Sequence, residues 1–273
     1  MEKPEVLEKL HRLPTILFVA WPTTVLITYV TAVAYDHVEA GFPYISDTAT
    51  LPPESCIFAQ FVNMTAALMF FVVYIRYSQV KECTTAFRLN ASLRKWNKAG
   101  LILGLMSTVG LTLVANFQET SVIVVHFIGA FMVFGCGTVY FWAQAVCSYY
   151  LHPLGCSLRV ARLRLGMSIF NTVCFFVILV CGFLAHMTYK GTNPRKWYKE
   201  DGGWEWHVAS TAAEWVCATV FCVYILSFTG EFKDIEMRYP KVSYKAGRIR
   251  TSKEVLNESQ DSTTAGPTER TIT

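Results

Sequence analysis

Apolar residues along this chain gather into six long runs divided by short polar stretches, covering roughly 15–35, 55–74, 99–115, 121–150, 166–187 and 207–228. A bilayer core is crossed by about 20 mostly apolar residues in helical form. A strand with an open edge cannot face lipid, so each run is predicted to be a helix. The third run is short, and the fourth is long enough to tilt or to extend beyond the membrane. The first is too long for a signal-peptide core and has no small-residue cleavage site after it, so it reads as a retained anchor. The expected fold is all-α, a polytopic integral membrane protein with six transmembrane helices.

Charge sets the orientation. Of 24 Lys and Arg residues, all but Lys190, Arg195, Lys196 and Lys199 fall in the N-terminus, the second loop, the fourth loop or the tail. Basic residues stay on the cytoplasmic side, so both termini are expected there. The predicted organisation is a cytoplasmic N-terminus over 1–14, a membrane domain over 15–229 and a cytoplasmic tail over 230–273. Only 16% of the 273 residues are Asp, Glu, Lys or Arg, against about 25% in ordinary soluble domains. A soluble enzyme and a disordered chain are both excluded, and the basic residues are spread as topology demands, which gives no support to nucleic-acid binding. The nine cysteines form no disulfide or zinc framework. Cys136, Cys174, Cys181, Cys217 and Cys222 lie within runs, while Cys83, Cys147 and Cys156 are near the cytoplasmic surface, as free thiols or palmitoylation sites.

Polar residues inside a membrane are costly and are the first functional candidates. Gln60 and Asn63 share a face where the second helix enters from outside. Asn116, Gln118 and Glu119 follow the third helix, and His126 lies a turn inside the fourth. His207, Ser210, Thr211 and Glu214 follow i, i+3, i+4, i+7 and make one polar stripe on the sixth helix. With His186 where the fifth helix exits, the outer half thus collects polar groups from five helices, while the inner half shows little beyond Gln144 and Asn171. Glu214 cannot face lipid as a bare charge; it is either protonated or paired, with His126 as the first partner to consider. Gln60, Asn63, Asn116, Gln118, His126, His207, Thr211 and Glu214 are therefore candidates for a lipid head-group pocket. Two other readings are a set of interhelical hydrogen bonds and a metal or acid–base site using His126, His186, His207 and Glu214. The last lacks local ligand spacing, so no metal and no cofactor are expected.

The first outer loop, 36–54, has four acidic residues, no basic ones and several turn formers; Phe42, Tyr44 and Ile45 suit it to fold back onto the bundle as a lid. The basic 193–199 part of the last outer loop complements its charge, and Trp197, Trp204 and Trp206 beside it read as an interfacial belt. Gly100 and Gly104 form a GxxxG on the third helix, and Gly129, Gly135 and Gly137 lie along the fourth. They read as contacts within the bundle, with a homo-oligomer interface as the sharper alternative. The basic tail suits anionic lipid or cytosolic partners. Tyr239 and Val242 match a Tyr-x-x-apolar sorting signal, and composition predicts disorder after about residue 251.

Certain strings are more specific. Phe42-Pro43-Tyr44-Ile45-Ser46-Asp47-Thr48, then Leu51-Pro52-Pro53-Glu54-Ser55-Cys56, resembles the first outer loop of the DRAM family, the damage-regulated autophagy modulators. Val114-Ala115-Asn116-Phe117-Gln118 and Thr211-Ala212-Ala213-Glu214-Trp215 occupy matching places in its third and sixth helices. The resemblance spans roughly 15–235 and marks Pro43, Tyr44, Ser46, Asp47 and Thr48 as an outer-loop motif. Ala49 departs from it, since a Gly commonly follows Ser-Asp-Thr in that family. The resemblance implies six spans, a lysosomal or late-endosomal membrane, and a non-enzymatic role in autophagy, with apoptosis a further reach of it. Membrane lipids are the implied partners. Wider kin point to two alternatives: a plasma-membrane scaffold for a phosphoinositide kinase or lipid-asymmetry factor, and a lipid-remodelling hydrolase using the His/Glu cluster.

Overall fold

The computed structural model describes residues 6–238 and residue 256. The six apolar runs are six helices: α1 (Arg12–Ala34), α2 (Glu54–Ala86), α3 (Ala91–Asn116), α4 (Ile123–Leu151), α5 (Leu158–Thr188) and α6 (Trp204–Leu226). Each is long and apolar enough to cross a membrane, so the protein is an all-α, six-span membrane protein. Three turns of 3-10 helix add to this among the described residues: Asp47–Ala49 in the first loop, Lys199–Asp201 before α6 and Glu231–Lys233 after it. The tail beyond residue 238, including Tyr239, Val242 and the stretch expected to be disordered, lies outside the described residues.

Six antiparallel helices place α1's start, the α2–α3 and α4–α5 connections and α6's exit at one end, the termini end. The loops after α1, α3 and α5 make the other, the loop end. At the termini end the helices outrun their apolar segments: α2 continues to Ala86, α3 begins at Ala91 and α5 at Leu158. Hydropathy marks only the stretch that hydrocarbon must cover, and polar turns continue beyond it where water solvates charges. Polar caps close these extensions. Asn90 accepts from the Ser92 amide at 2.8 Å, and Ser157 accepts from the Val160 amide at 3.3 Å, each filling an amide that the helix start leaves free.

Within residues 8–235 each helix packs on the next, and α6 closes on α1. Outward positions such as Phe70, Phe71, Val173, Phe176 and Phe183 are exposed; lipid solvates them, so they cost nothing that water would charge. Small residues face inward and let backbones approach, where van der Waals packing replaces the hydrophobic drive. A Cβ on Gly110 would stand 2.7 Å from the carbonyl oxygen of Gly129, and one on Gly104 would stand 2.8 Å from Val73. The glycines of α3 and α4 are thus contacts within the bundle. Just past the Gly110–Gly129 crossing, α4 widens into a π-helical turn, Met132–Cys136. There the Val133 carbonyl accepts from Ser107 Oγ at 3.2 Å; a side-chain donor from the neighbouring helix serves a carbonyl of the irregular turn.

Separately, Val6–Leu7 pairs antiparallel with Met237–Arg238 in a two-residue bridge.

Candidate functional site

The first loop turns into the bundle at the loop end and acts as a wedge. Its turn is made locally: the Tyr44 amide donates to Asp47 Oδ2 at 3.1 Å, and Thr48 Oγ1 donates to the Ile45 carbonyl at 2.7 Å. It is then pinned from three sides. Trp215 Nε1 of α6 donates to the Pro43 carbonyl at 2.9 Å. Thr28 of α1 lies 3.4 Å from the Thr48 hydroxyl. Ser46 Oγ donates at 3.0 Å to Glu119, just past α3. Ile45, Asp47 and Thr48 are buried, whereas Phe42 points outward. The lid expected from sequence forms, with Tyr44 and Ile45 inside it and Phe42 not. The acidic loop also meets the basic one: Lys196 Nζ is 2.6 Å from Asp36, and Arg195 donates to Thr50 Oγ1 at 3.3 Å.

Beneath the wedge is a central cavity of about 100 Å³. Its walls are apolar, with Trp21, Phe58, Met69, Leu111, Val133 and Phe221 among them, and its loop-end rim is polar, with Ser46, His126 and Glu214. Glu214 does not pair with His126. Its Oε2 accepts from the Ile45 amide at 3.0 Å, which joins α6 to the wedge. His126 Nδ1 instead pairs with the Phe117 carbonyl at 2.7 Å, and Nε2 is 4.0 Å from Glu119. Asp47, Glu119 and Glu214 thus converge, with His126 the basic side chain nearest to them among the contacts described. Burial, then the neighbouring Glu119, holds the Asp47 carboxyl well above the usual carboxylate range. Burial likewise pushes the Tyr44 hydroxyl up. In both groups burial favours the neutral, proton-bearing form over a buried charge.

The other sequence candidates lie apart from this rim. Asn63 and Asn116 exchange two hydrogen bonds of 3.1 Å between α2 and α3, and neither lines the cavity. Gln60 is exposed and Gln118 half-buried. The stripe His207, Ser210, Thr211 and Glu214 is buried along its whole length, but its members serve different neighbours. His207 stacks on Trp197 at 4.3 Å, and the Tyr44 ring meets its edge at 5.2 Å. Thr211 donates to its own helix at the His207 carbonyl, 3.0 Å away. Trp197 is therefore part of the packed loop end, unlike the exposed Trp206. His186 is exposed on α5. Among the described residues no group of three or more His, Cys, Asp or Glu side chains is placed to hold a metal ion.

The half of the bundle at the termini end is more polar than the sequence suggested. Arg76 of α2 and Arg164 of α5, which read as loop charges, are fully buried. Both grip Glu231, which follows α6: Arg164 donates to both carboxylate oxygens, at 3.0 and 2.7 Å, and Arg76 donates to Oε2 at 2.9 Å. Gln144 takes the Arg76 Nε–H at 3.0 Å, and Ser227 takes the Arg164 Nε–H at 2.9 Å. Phe228 lies under both guanidiniums, at 4.5 Å from Arg164 and 5.0 Å from Arg76, a favourable cation–π arrangement. A signal existed in the sequence. Ala161, Arg164, Ser168 and Asn171 follow a 3-4-3 spacing, an inward small and polar face that carries the arginine with it.

A multi-pass membrane protein with a loop wedge over an apolar cavity is thus the class that the fold and site define. Within that class, the chain belongs to the Frag1/DRAM/Sfk1/Cwh43P family, whose N-terminal domain matches residues 9–235. It is 35% identical over 229 residues to human DNA damage-regulated autophagy modulator protein 2, covering 83% of this chain and 85% of the relative. To human DNA damage-regulated autophagy modulator protein 1 it is 36% identical over 223 residues, 81% of this chain and 91% of the relative. The zebrafish (Danio rerio) protein named modulator of macroautophagy TMEM150B is 28% identical over 251 residues, 91% of this chain and 97% of the relative. No solved structure matches the chain.

Proposed function

We propose that this protein modulates autophagy from the lysosomal or late-endosomal membrane, without catalysis, by holding the apolar part of a membrane lipid in its central cavity. The autophagy part is supported by the relatives: those described are named as autophagy modulators and not as enzymes, and they match over most of their length. The lipid part is carried by one observation, the apolar cavity with Ser46, His126 and Glu214 at its rim. At about 100 Å³ the chamber suits a short hydrocarbon segment toward Phe221 and Met69, with the polar rim beneath the wedge at its other end. The distribution of basic residues supports termini in the cytosol and a wedge in the lumen. Tyr239 and Val242 are the sorting signal we assign to the tail.

The test is localisation of the protein carrying an epitope in the 87–90 connection, beside the same protein with Tyr239→Ala. Overlap with lysosomal markers, lost to the cell surface in the variant, is the expected result. Residence of the wild-type protein at the plasma membrane would instead favour a lipid-kinase scaffold there and overturn the lysosomal reading.

A further inference from the structure

The buried arginines at the termini end have a charge problem that the fold leaves open. Two guanidiniums are fully buried, and the carboxylate that reaches them is that of Glu231. Their other acceptors are neutral: the Gln144 and Gln79 side-chain oxygens and the hydroxyls of Ser148 and Ser227. Among the described residues one net positive charge is thus held out of water, which is costly unless a further anion balances it. A phosphate monoester carries about −1.5 to −2 charges and three acceptor oxygens. It would balance both arginines, and their planar forks suit it.

Depth says where such a phosphate would come from. Arg76 lies about 33 Å along α2 from its loop-end start, at about 1.5 Å per residue. Arg164 lies about 36 Å from the loop-end finish of α5 on the same scale. A hydrocarbon core is about 30 Å thick, so both guanidiniums sit at the level of the lipid phosphates on the termini side. Glu231 is the least enclosed of the three charged groups, although Phe232 beside it is buried. Glu231 belongs to a three-residue turn beyond α6 and not to a membrane helix. Its side chain keeps 11% of its surface exposed against none for either arginine. Before it stands Gly230, around whose Cβ position there is open space.

We propose that Arg76 and Arg164 form a binding site for a phosphate monoester borne by a membrane lipid, and that Glu231 is a tethered carboxylate that fills the site until such a lipid displaces it. Displacement frees the segment that leads into the tail. The site is separate from the loop-end cavity, and its fate does not depend on what that cavity holds.

The first test uses the wild-type protein in nanodiscs of phosphatidylcholine containing either phosphatidic acid, a monoester, or an equal charge of phosphatidylserine, a diester. Amide hydrogen exchange over 227–235 is expected to be at least threefold faster with phosphatidic acid alone. Equal exchange in both lipids would overturn the proposal. Faster exchange on adding inorganic phosphate to phosphatidylserine discs would keep the anion site and overturn the lipid as its source. The second test uses Glu231→Gln. Phosphatidic acid is expected to raise its melting midpoint by several degrees over phosphatidylserine while barely moving the wild type, because the lipid phosphate replaces the missing carboxylate. A variant equally unstable in both lipids would identify Glu231 as a structural clasp and nothing more.

Discussion

At the scale of single residues, the loop end is held by carboxyl groups whose partners are mostly backbone amides and each other. Glu214 is the clearest case. The Ile45 amide that it accepts would be left buried and unpaired in Glu214→Ala, at about 1–3 kcal/mol. Glu214→Gln retains a carbonyl acceptor of the same reach. Thermal melts in one detergent should therefore rank the wild type and Gln together and Ala well below them. Asp47 gives the pH dependence. Its native carboxyl titrates above the ordinary value, so the wedged state binds more protons than a released loop. Stability of the wedge then falls as pH rises from about 4, the ordinary aspartate range, through the raised native value. Protection factors over 42–50, taken relative to the intrinsic exchange rate at each pH, are expected to be highest at acidic pH and to fall toward neutrality, and Asp47→Asn should flatten that dependence. Protection that rises with pH would reverse the sign and refute the assignment.

The elements show what a sequence can and cannot announce. Lipid forces apolar residues onto every span, so the six helices are legible as runs. Turn formers and aromatics at 41–53 announce a loop able to fold back, and it does. The partner of Glu214 was not legible, because it is a backbone amide 169 residues earlier, and no side chain advertises it. Nor was the pairing of Arg76 and Arg164 with Glu231 legible, since a hydropathy reading counts charges and cannot see that Glu231 will meet them from beyond the last helix, even though the spacing around Arg164 placed that residue on an inward face. Two substitutions probe these element contacts. Glu231→Ala leaves two buried guanidiniums without their anion and should cost about 3–5 kcal/mol, read as a fall in melting temperature in phosphatidylcholine. Gly110→Leu would drive a side chain into the Gly129 backbone where α3 and α4 cross. Overpacking of this kind costs about 1–3 kcal/mol, and the same substitution at outward-facing Val109 should be nearly silent.

For the molecule as a whole, the two ends differ in chemistry. The loop end is closed by protonatable acids over an apolar chamber, and the termini end by a two-arginine clasp from which the tail departs. Membership of the DRAM-containing family accounts for the shared loop strings and the six spans. The lipid we propose for the chamber goes beyond that membership. The most direct measurement is autophagic flux in cells lacking the protein, after re-expression of wild type or of Ala218→Leu at equal lysosomal abundance. Ala218 lines the cavity, so the larger side chain fills it. A melting curve near that of the wild type will show that the bundle survives. Our account predicts that wild type restores flux and the filled variant does not; full restoration by Ala218→Leu would contradict it.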